Sequence, residues 1–371
     1  MSEHDARFMA LALRLARRGL GNAWPNPAVG CVVVRGGRIV GRGWTQPGGR
    51  PHAEVEALKR AGPAALGATA YVSLEPCAHY GKTPPCTMAL LHAGIRRVVV
   101  ATGDPDPRVD GNGLAQLRVA GVEVAFGTLR AEAEALNAGF FLKVRQGRPL
   151  VTLKLATSAD ARIATRAGES QWITGEEART FGHQLRATHD AILIGSRTAL
   201  ADDPLLTCRL PGLEARSPVR VVLDSALRLP ATSRLVATAG ELPTWVVTRP
   251  HPAGEQAATL RSRGVEVIEA DVRRDGKLDP GAVLRALAGR GITRVLIEGG
   301  PTVATAFLGE RLVDRLAWFR APLLLGADGV PAFGTLEVDR LDQARVLTPG
   351  PVRTLAEDQL AAYTAINDEG S

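Results

Sequence analysis

The chain is poor in aromatic residues and in sulfur: three Tyr, eight Phe and five Trp, with four Cys and three Met, in 371 residues. So few rings leave little to stack on bases, and no run of Lys and Arg is present to follow a phosphate backbone, so nucleic acid is not expected as a partner. No uninterrupted apolar stretch approaches the length of a membrane span, and no membrane association is expected. The first nineteen residues set Glu3, Asp5, Arg7, Arg14, Arg17 and Arg18 among apolar positions, which predicts an amphipathic helix and not a secretory signal. Four cysteines without a paired spacing exclude a disulfide scaffold and point to a reducing, cytoplasmic setting.

Length and a hydrophobic content of 45% predict two domains. The formal charge of +7 is unevenly spread. Residues 1–147 hold 18 Lys and Arg against 11 Asp and Glu, whereas the remainder holds 27 of each. A small anionic substrate, such as a phosphorylated nucleoside, accounts for that local excess, and so does an ordinary arginine-rich surface.

Against this plain background two clusters stand out. His52-Ala53-Glu54 opens an apparent helix, and Pro76-Cys77 is followed at an eight-residue gap by Pro85-Cys86. One imidazole and two thiolates make three protein ligands for zinc and leave a fourth tetrahedral position open, the arrangement of a hydrolytic rather than a structural site. Zinc brings the pKa of water near neutrality, and a carboxylate that is not a ligand can carry the proton. Glu54 is placed for that role if both side chains leave the first helical turn, because an ideal mid-helix pair at that spacing would diverge. The chemistry suits hydrolytic deamination of a heterocyclic amine. Cys31 and Cys208 lack partners at ligand spacing and read as structural.

Up to residue 147 strand-like and helix-like segments alternate in an α/β pattern. A hairpin (Val29–Val34, Arg38–Trp44) is followed by a helix from His52 to about Ala61 and a strand Ala70–Leu74. Next come a helix from about Pro85 to His92, a strand Arg97–Ala101, a helix near Leu114–Val119, a short strand near Val122 and a helix Arg130–Ala138. Polar residues and Pro149 interrupt the pattern at 143–149, so the boundary falls near 147, giving domains 1–147 and 148–371. In the second, strands are expected at Leu150–Leu155, Ala191–Ile194, Val219–Leu223, Thr244–Val247, Val265–Ile268 and Arg294–Ile297. The last runs through Glu298-Gly299-Gly300 into a helix, a turn whose free N–H groups can meet a phosphate; it is not a G-x-G-x-x-G fingerprint. Beyond Asn367 the pattern is lost, and a frayed end is expected.

Taken together, these residues resemble the bifunctional deaminase-reductases of riboflavin biosynthesis along nearly the whole chain. Pro25-Asn26-Pro27-Ala28-Val29-Gly30, His52-Ala53-Glu54, Glu75-Pro76-Cys77 and Gly81-Lys82-Thr83-Pro84-Pro85-Cys86 are similar to that family's deaminase motifs. The resemblance implies a cytidine-deaminase-like three-layer domain in which His52, Cys77 and Cys86 bind one zinc ion and Glu54 shuttles protons. Asn26 and Lys82 would face the pyrimidine or its phosphoribosyl arm, although a turn residue between prolines and a solvated loop charge are the plain alternatives.

The second half resembles the family's dihydrofolate-reductase-like domain. The matching segments are Lys154–Asp160, Gly168–Thr174, Gly195–Thr207 and Glu298–Pro301. By resemblance Ala156, Trp172, Thr198, Asp202, Ser225, Gly300, Pro301 and Thr302 contact NADPH, and Ser170, Arg186, Leu206, Arg209 and Glu298 contact the phosphorylated substrate. Arg186 and Arg209 would clamp its phosphate. Asp202 would assist proton delivery as the sugar ring opens, or else serve only its Asp-Asp-Pro turn.

One departure is visible: the family places glycine after Ser158-Ala159-Asp160, and this chain has Ala161. The implied function is zinc-dependent deamination of a phosphoribosylated diaminopyrimidine followed by NADPH-dependent reduction of its ribosyl chain, in a cytoplasmic homo-oligomer. Two rivals remain at this stage. One is a nucleoside or nucleic-acid base deaminase with an appended nucleotide-binding domain; the other is a zinc-stabilised scaffold in which His79 is a fourth ligand.

Overall fold

A computed structural model describes residues 3–252 and 254–365. The end expected to fray beyond Asn367 lies outside them. The chain separates into two compact units, Met1–Gly147 and Arg148–Ser371.

In the first unit the elements run α1 (Glu3–Ala16), β1 (Gly30–Arg35), β2 (Arg38–Trp44), α2 (Ala53–Ala61), β3 (Thr69–Val72), α3 (Cys86–His92), β4 (Arg97–Val100), α4 (Asn112–Val119), β5 (Glu123–Phe126) and α5 (Arg130–Gln146). The sheet order is β2-β1-β3-β4-β5, antiparallel from β2 to β3 and parallel from β3 to β5. Alternation along the strands supplies both faces. Val32, Val34, Tyr71 and Val99 pack with Phe8, Met9, Ala133 and Leu136 of α1 and α5. Cys31, Val33, Ala70, Val72, Val98 and Val100 pack with Ala53, Ala57, Leu90, Leu114 and Leu117 of α2, α3 and α4. The result is the three-layer α/β sandwich that the family resemblance implied.

Glycines set how closely α2 approaches the sheet. A Cβ at Gly41 would fall 2.2 Å from the Ala57 carbonyl oxygen, and one at Gly43 would fall 2.1 Å from that of Ala53. The helix carrying Glu54 therefore rests directly on the β2 backbone. Helix α5 continues eight residues past the expected stop at Ala138. Asn137 interrupts its regular dihedrals, with φ −97° and ψ 15°. Its buried amide accepts from Ala28 N and donates to Ala28 O, both at 3.0 Å, and Phe141 then carries the apolar face onward.

The second unit contains β6 (Leu150–Thr157), β7 (Arg162–Ala164), α6 (Glu176–Ala187), β8 (Ala191–Gly195), α7 (Ser196–Asp202), β9 (Val219–Leu223), α8 (Arg234–Ala237), β10 (Thr244–Thr248), α9 (Glu255–Ser262), β11 (Glu266–Glu269), α10 (Pro280–Gly289), β12 (Arg294–Ile297), α11 (Pro301–Gly309), β13 (Arg315–Arg320), β14 (Val330–Pro331), β15 (Leu347–Leu355) and β16 (Asp358–Ala365). Its main sheet has the order β11-β10-β9-β8-β12-β6-β13-β16-β15, parallel from β11 to β13, with β16 antiparallel to both β13 and β15. The parallel strands are buried apolar runs, as strands covered on both faces must be. Strands β13, β15 and β16 were not expected. Strand β15 is an almost wholly exposed edge whose Pro349-Gly350-Pro351 coincides with a register shift, so its sequence carries neither an apolar run nor an alternation.

Ala161 adopts φ +61°. Its N–H bonds to the Ser158 carbonyl at 3.1 Å, closing the turn between β6 and β7, while Asp160 accepts from the Gly326 N–H at 2.8 Å. The left-handed region costs a residue with a Cβ about 1–2 kcal/mol. Glycine would relieve that strain but lose about 0.4–1 kcal/mol through a freer unfolded chain. Ala161→Gly is therefore expected to stabilise by about 0.5 kcal/mol, raising the melting transition of this unit by about 1–2 °C in calorimetry. A lower transition would show that the turn tolerates alanine without strain.

Candidate active sites

In the first unit three ligand atoms, from His52, Cys77 and Cys86, lie within 4.8 Å of one another. His52 is the cap residue of α2 with extended φ and ψ, not a helical residue. That placement lets its ring and the Glu54 side chain, which leaves the first turn, converge on one point. His52 Nδ1 lies 3.3 Å from Cys86 Sγ and 3.6 Å from Cys77 Sγ. Cys86 opens α3, and its backbone N–H donates to Cys77 Sγ at 3.3 Å. The Cys86 thiol, His52 and that N–H hold Cys77 well below the ordinary thiol range despite burial. A borderline-soft set of one nitrogen and two sulfurs fits zinc. His79 is not among the grouped ligands, so the described residues offer three and no fourth.

Glu54 is 3% exposed, and burial pushes its carboxyl up; His52 opposes the shift and Cys77 adds to it. The other His52 nitrogen, Nε2, faces Asn26 Nδ2 at 3.2 Å, and the same amide donates to Gly49 O at 2.9 Å. Asn26 thus lies against the edge of the ring, a place its position between prolines did not reveal. Gly49, at φ +82°, makes room for it, since a Cβ there would meet Asn26 at 2.8 Å. Lys82 is exposed on the 78–84 loop, which Arg50 ties down through Thr83 Oγ1.

The Cys77 turn has a brace of its own. The buried Glu75 carboxylate accepts from Gly111 N (3.1 Å), Gly113 N (2.9 Å) and Leu114 N (3.2 Å), the free N–H groups that begin α4. Gly113 completes the fit: a Cβ there would lie 2.2 Å from Pro76 O. Nearby, burial pushes the Asp104 carboxyl up to about 7.

The second unit opens in a cleft of about 1320 Å³ along the carboxyl ends of β6, β8, β9 and β12. Ala156, Trp172, Thr198, Asp202, Ser225, Gly300, Pro301 and Thr302 line it, together with Ser170 and Glu298. Gly300 caps α11, and its N–H donates to Thr198 Oγ1 at 3.2 Å. A Cβ at Gly299 would stand 3.0 Å from Val303, so the turn from β12 into α11 needs glycine there to bring the start of the helix to the cleft. The room and this glycine turn fit a dinucleotide. Trp172 stands 65% exposed in the cleft, with the Arg179 guanidinium 4.8 Å from its ring centre.

Residues 149–355 match the RibD C-terminal domain family, and residues 2–102 match the cytidine and deoxycytidylate deaminase zinc-binding region. The riboflavin biosynthesis protein RibD of Aquifex aeolicus is 42% identical, over 96% of this chain and 97% of its own. The chain belongs to the RibD family. Among solved structures, Acinetobacter baumannii RibD superposes with a TM-score of 0.88 at 38% identity, covering 98% of this chain and 99% of that one. A Thermotoga maritima structure described as a diaminohydroxyphosphoribosylaminopyrimidine deaminase/5-amino-6-(5-phosphoribosylamino)uracil reductase does so at 0.85 and 35% identity, with the same coverage. The two units are accordingly the cytidine-deaminase-like and dihydrofolate-reductase-like parts of a RibD enzyme, one a zinc-binding deaminase and the other an NADPH-dependent reductase. The deaminase with an unrelated appended domain and the zinc scaffold both fall away.

Two expected contacts in this RibD reductase unit take a different form. Arg186 does not present a free fork for phosphate: Nε and Nη2 bond Glu298 Oε1 and Oε2 at 2.8 and 2.9 Å, and Nη1 bonds Thr207 O at 3.0 Å. The Leu206 side chain is buried in an apolar core with Ile192, Val222 and Leu235, and its φ is +55°, so only its backbone can reach a ligand. Arg209 is exposed, and its backbone N–H bonds His183 Nδ1 at 3.3 Å. Two residues given no role in the sequence reading join them. Lys154 Nζ is 3.9 Å from Glu298 Oε2, and His183, pushed down to about 4 by burial and by Arg186 and Arg209, stays neutral beside the pair. Lys154 stood in a quoted segment without a role, because a strand residue shows no partner until the sheet is assembled.

Proposed function

We propose that this protein deaminates a phosphoribosylated diaminopyrimidine at the His52, Cys77 and Cys86 centre and reduces the ribosyl side chain of the product to a ribityl chain with NADPH. The observation that carries the reading is the convergence of His52, Cys77 and Cys86 on one point, with Glu54 buried against it. Zinc held by His52, Cys77 and Cys86 would supply the Lewis acidity that makes a water acidic enough to attack. Glu54 takes the proton from that water and passes it first to the ring nitrogen and then to departing ammonia. Burial, which raises its pKa, lets one carboxyl serve as base and then as acid. Asn26, at the edge of the His52 ring, and Lys82, on the loop that Arg50 ties down, face the pyrimidine and its anionic arm.

In the reductase unit Glu298, aligned by Arg186, and Lys154 hold the substrate, with Ser170 and the Leu206 backbone beside them. Arg209, exposed near Arg186, offers a cation to its phosphate. Asp202, exposed at the end of α7 with its carboxyl raised by burial, is placed to supply a proton as the sugar ring opens. Ala156, Trp172, Thr198, Ser225 and the Gly300–Thr302 turn hold the dinucleotide against the acceptor carbon. The setting is cytoplasmic and the assembly a homo-oligomer.

The test follows ammonia release and NADPH oxidation separately with the diaminopyrimidine ribotide, with and without NADPH. Ammonia should appear without NADPH, and oxidation only after deamination. Oxidation of NADPH by the undeaminated ribotide at the same rate would reverse the order and sink the reading.

A further inference from the structure

Residues 203–209, which follow α7, belong to no helix or strand, so their backbone groups have no ladder to join. Helix α6 supplies partners instead. Its His183 and Arg186, three residues apart, share one face of the helix. Arg186 Nη1 donates to Thr207 O at 3.0 Å, the Cys208 thiol donates to His183 O at 3.5 Å, and the Arg209 N–H donates to His183 Nδ1 at 3.3 Å. Cys208 N, turned the other way, donates to Ser217 Oγ at 3.1 Å. Three consecutive residues are thus tacked to one helix, and Cys208, buried at 2% exposure, is the peg between the other two.

The tack at Arg209 has a charge requirement. An imidazole nitrogen that receives an N–H must keep its lone pair, so the ring proton sits on Nε2 and His183 is uncharged. Its surroundings enforce that state: burial, then Arg186, then Arg209 push its pKa down to about 4, against a smaller pull from Glu298. A carboxylate in this place would accept the same N–H, but it would also draw in the Arg209 guanidinium, as Glu298 holds that of Arg186. Imidazole does the first and not the second. The Arg209 backbone is fixed while the residue stays exposed.

We propose that His183 is a positioning residue for substrate recognition in this reductase: through Nδ1 it holds the Arg209 backbone as an uncharged acceptor and leaves the Arg209 guanidinium to the substrate phosphate. The proposal rests on the reading of Arg209 as the phosphate cation, so Arg209→Ala is measured beside it. Steady-state NADPH oxidation by the full chain is followed with the deaminated ribotide, for wild type, His183→Ala, His183→Asn and His183→Asp, and the Michaelis constants for ribotide and for NADPH are determined separately.

His183→Ala should raise the Michaelis constant for the ribotide about tenfold, the scale of one hydrogen bond to a charged group, with kcat and the constant for NADPH changed less than about twofold. His183→Asn, whose amide oxygen is an uncharged acceptor, should recover most of the loss. His183→Asp should not, because its carboxylate takes Arg209 for itself. Aspartate as good as asparagine would mean that the place needs only an acceptor, and kcat falling together with affinity would mean that His183 merely supports α6; either result overturns the proposal. Should the alanine variant not fold, the comparison of Asn with Asp decides alone. A wild-type Michaelis constant in Arg209→Ala would remove Arg209 from the phosphate site and the proposal with it, whereas a raised constant there beside an unaffected His183→Ala would overturn only the proposal.

Discussion

Replacing Glu54 with Gln should abolish ammonia release, by about 10³-fold or more, the scale of a positioned general acid–base group. Zinc content should stay at one per chain, because Glu54 is not among the grouped ligands. The substitution keeps the volume of a side chain that is 3% exposed and packed under α2, and removes a buried ionisable group, so folding should be little affected. Reduction of a supplied, already deaminated substrate should continue at the wild-type rate, since the residues of the cleft belong to the other unit. Ammonia assay, metal analysis and NADPH oxidation together check the expectation. Persistent ammonia release would remove Glu54 from the chemistry, and loss of both activities would contradict separate sites.

The second large effect is expected at Arg186. Arg186→Met breaks a two-pronged pair with Glu298 whose side chains are 15% and 11% exposed. Removing one partner of a buried pair strands the other, at a cost of about 3–5 kcal/mol. Lys154, at 3.9 Å, offsets only part of it. Reduction should be lost with the orientation of Glu298, while deamination proceeds.

The pH dependence fixes the cause. Burial raises the Glu298 carboxyl, but Arg186 and Lys154 outweigh it and hold it at about 2, against an ordinary 4.5. A depressed carboxyl stabilises the fold fully above its unfolded pKa and loses that contribution as pH falls through the folded one. Wild type and variant should therefore differ most above about pH 4.5 and converge toward pH 2 in calorimetric unfolding of the transition that NADPH raises. A difference independent of pH in that window would mean that lost packing, not the ion pair, causes the destabilisation.

The grouping of His52, Cys77 and Cys86 was legible in the sequence because chemistry restricts metal ligands to few residue types and because both cysteines follow prolines at turns. The buried parallel strands were legible as apolar runs, and Ala161 as an alanine where a glycine was expected. Residues acting through others were not. Asn26 reads as a substrate contact or a turn residue until His52 is folded against it, 26 positions away. Arg186 reads as a phosphate clamp until Glu298, 112 positions away, is found in its fork. Strand β15 escaped for a different reason: an exposed edge obeys no burial pattern, so its pairing with β16 has no trace in the order of residues.

Glu75 carries a consequence for how this chain can vary. By gripping the start of α4 it binds two stretches of sequence, 75–77 and 111–114, into one heritable unit: neither can drift alone. A side chain at Gly113 would strike Pro76 O, and a shorter residue at 75 would release three N–H groups at once. The metal centre therefore constrains residues that never touch a metal, and substitutions there should be admitted only in compensating pairs.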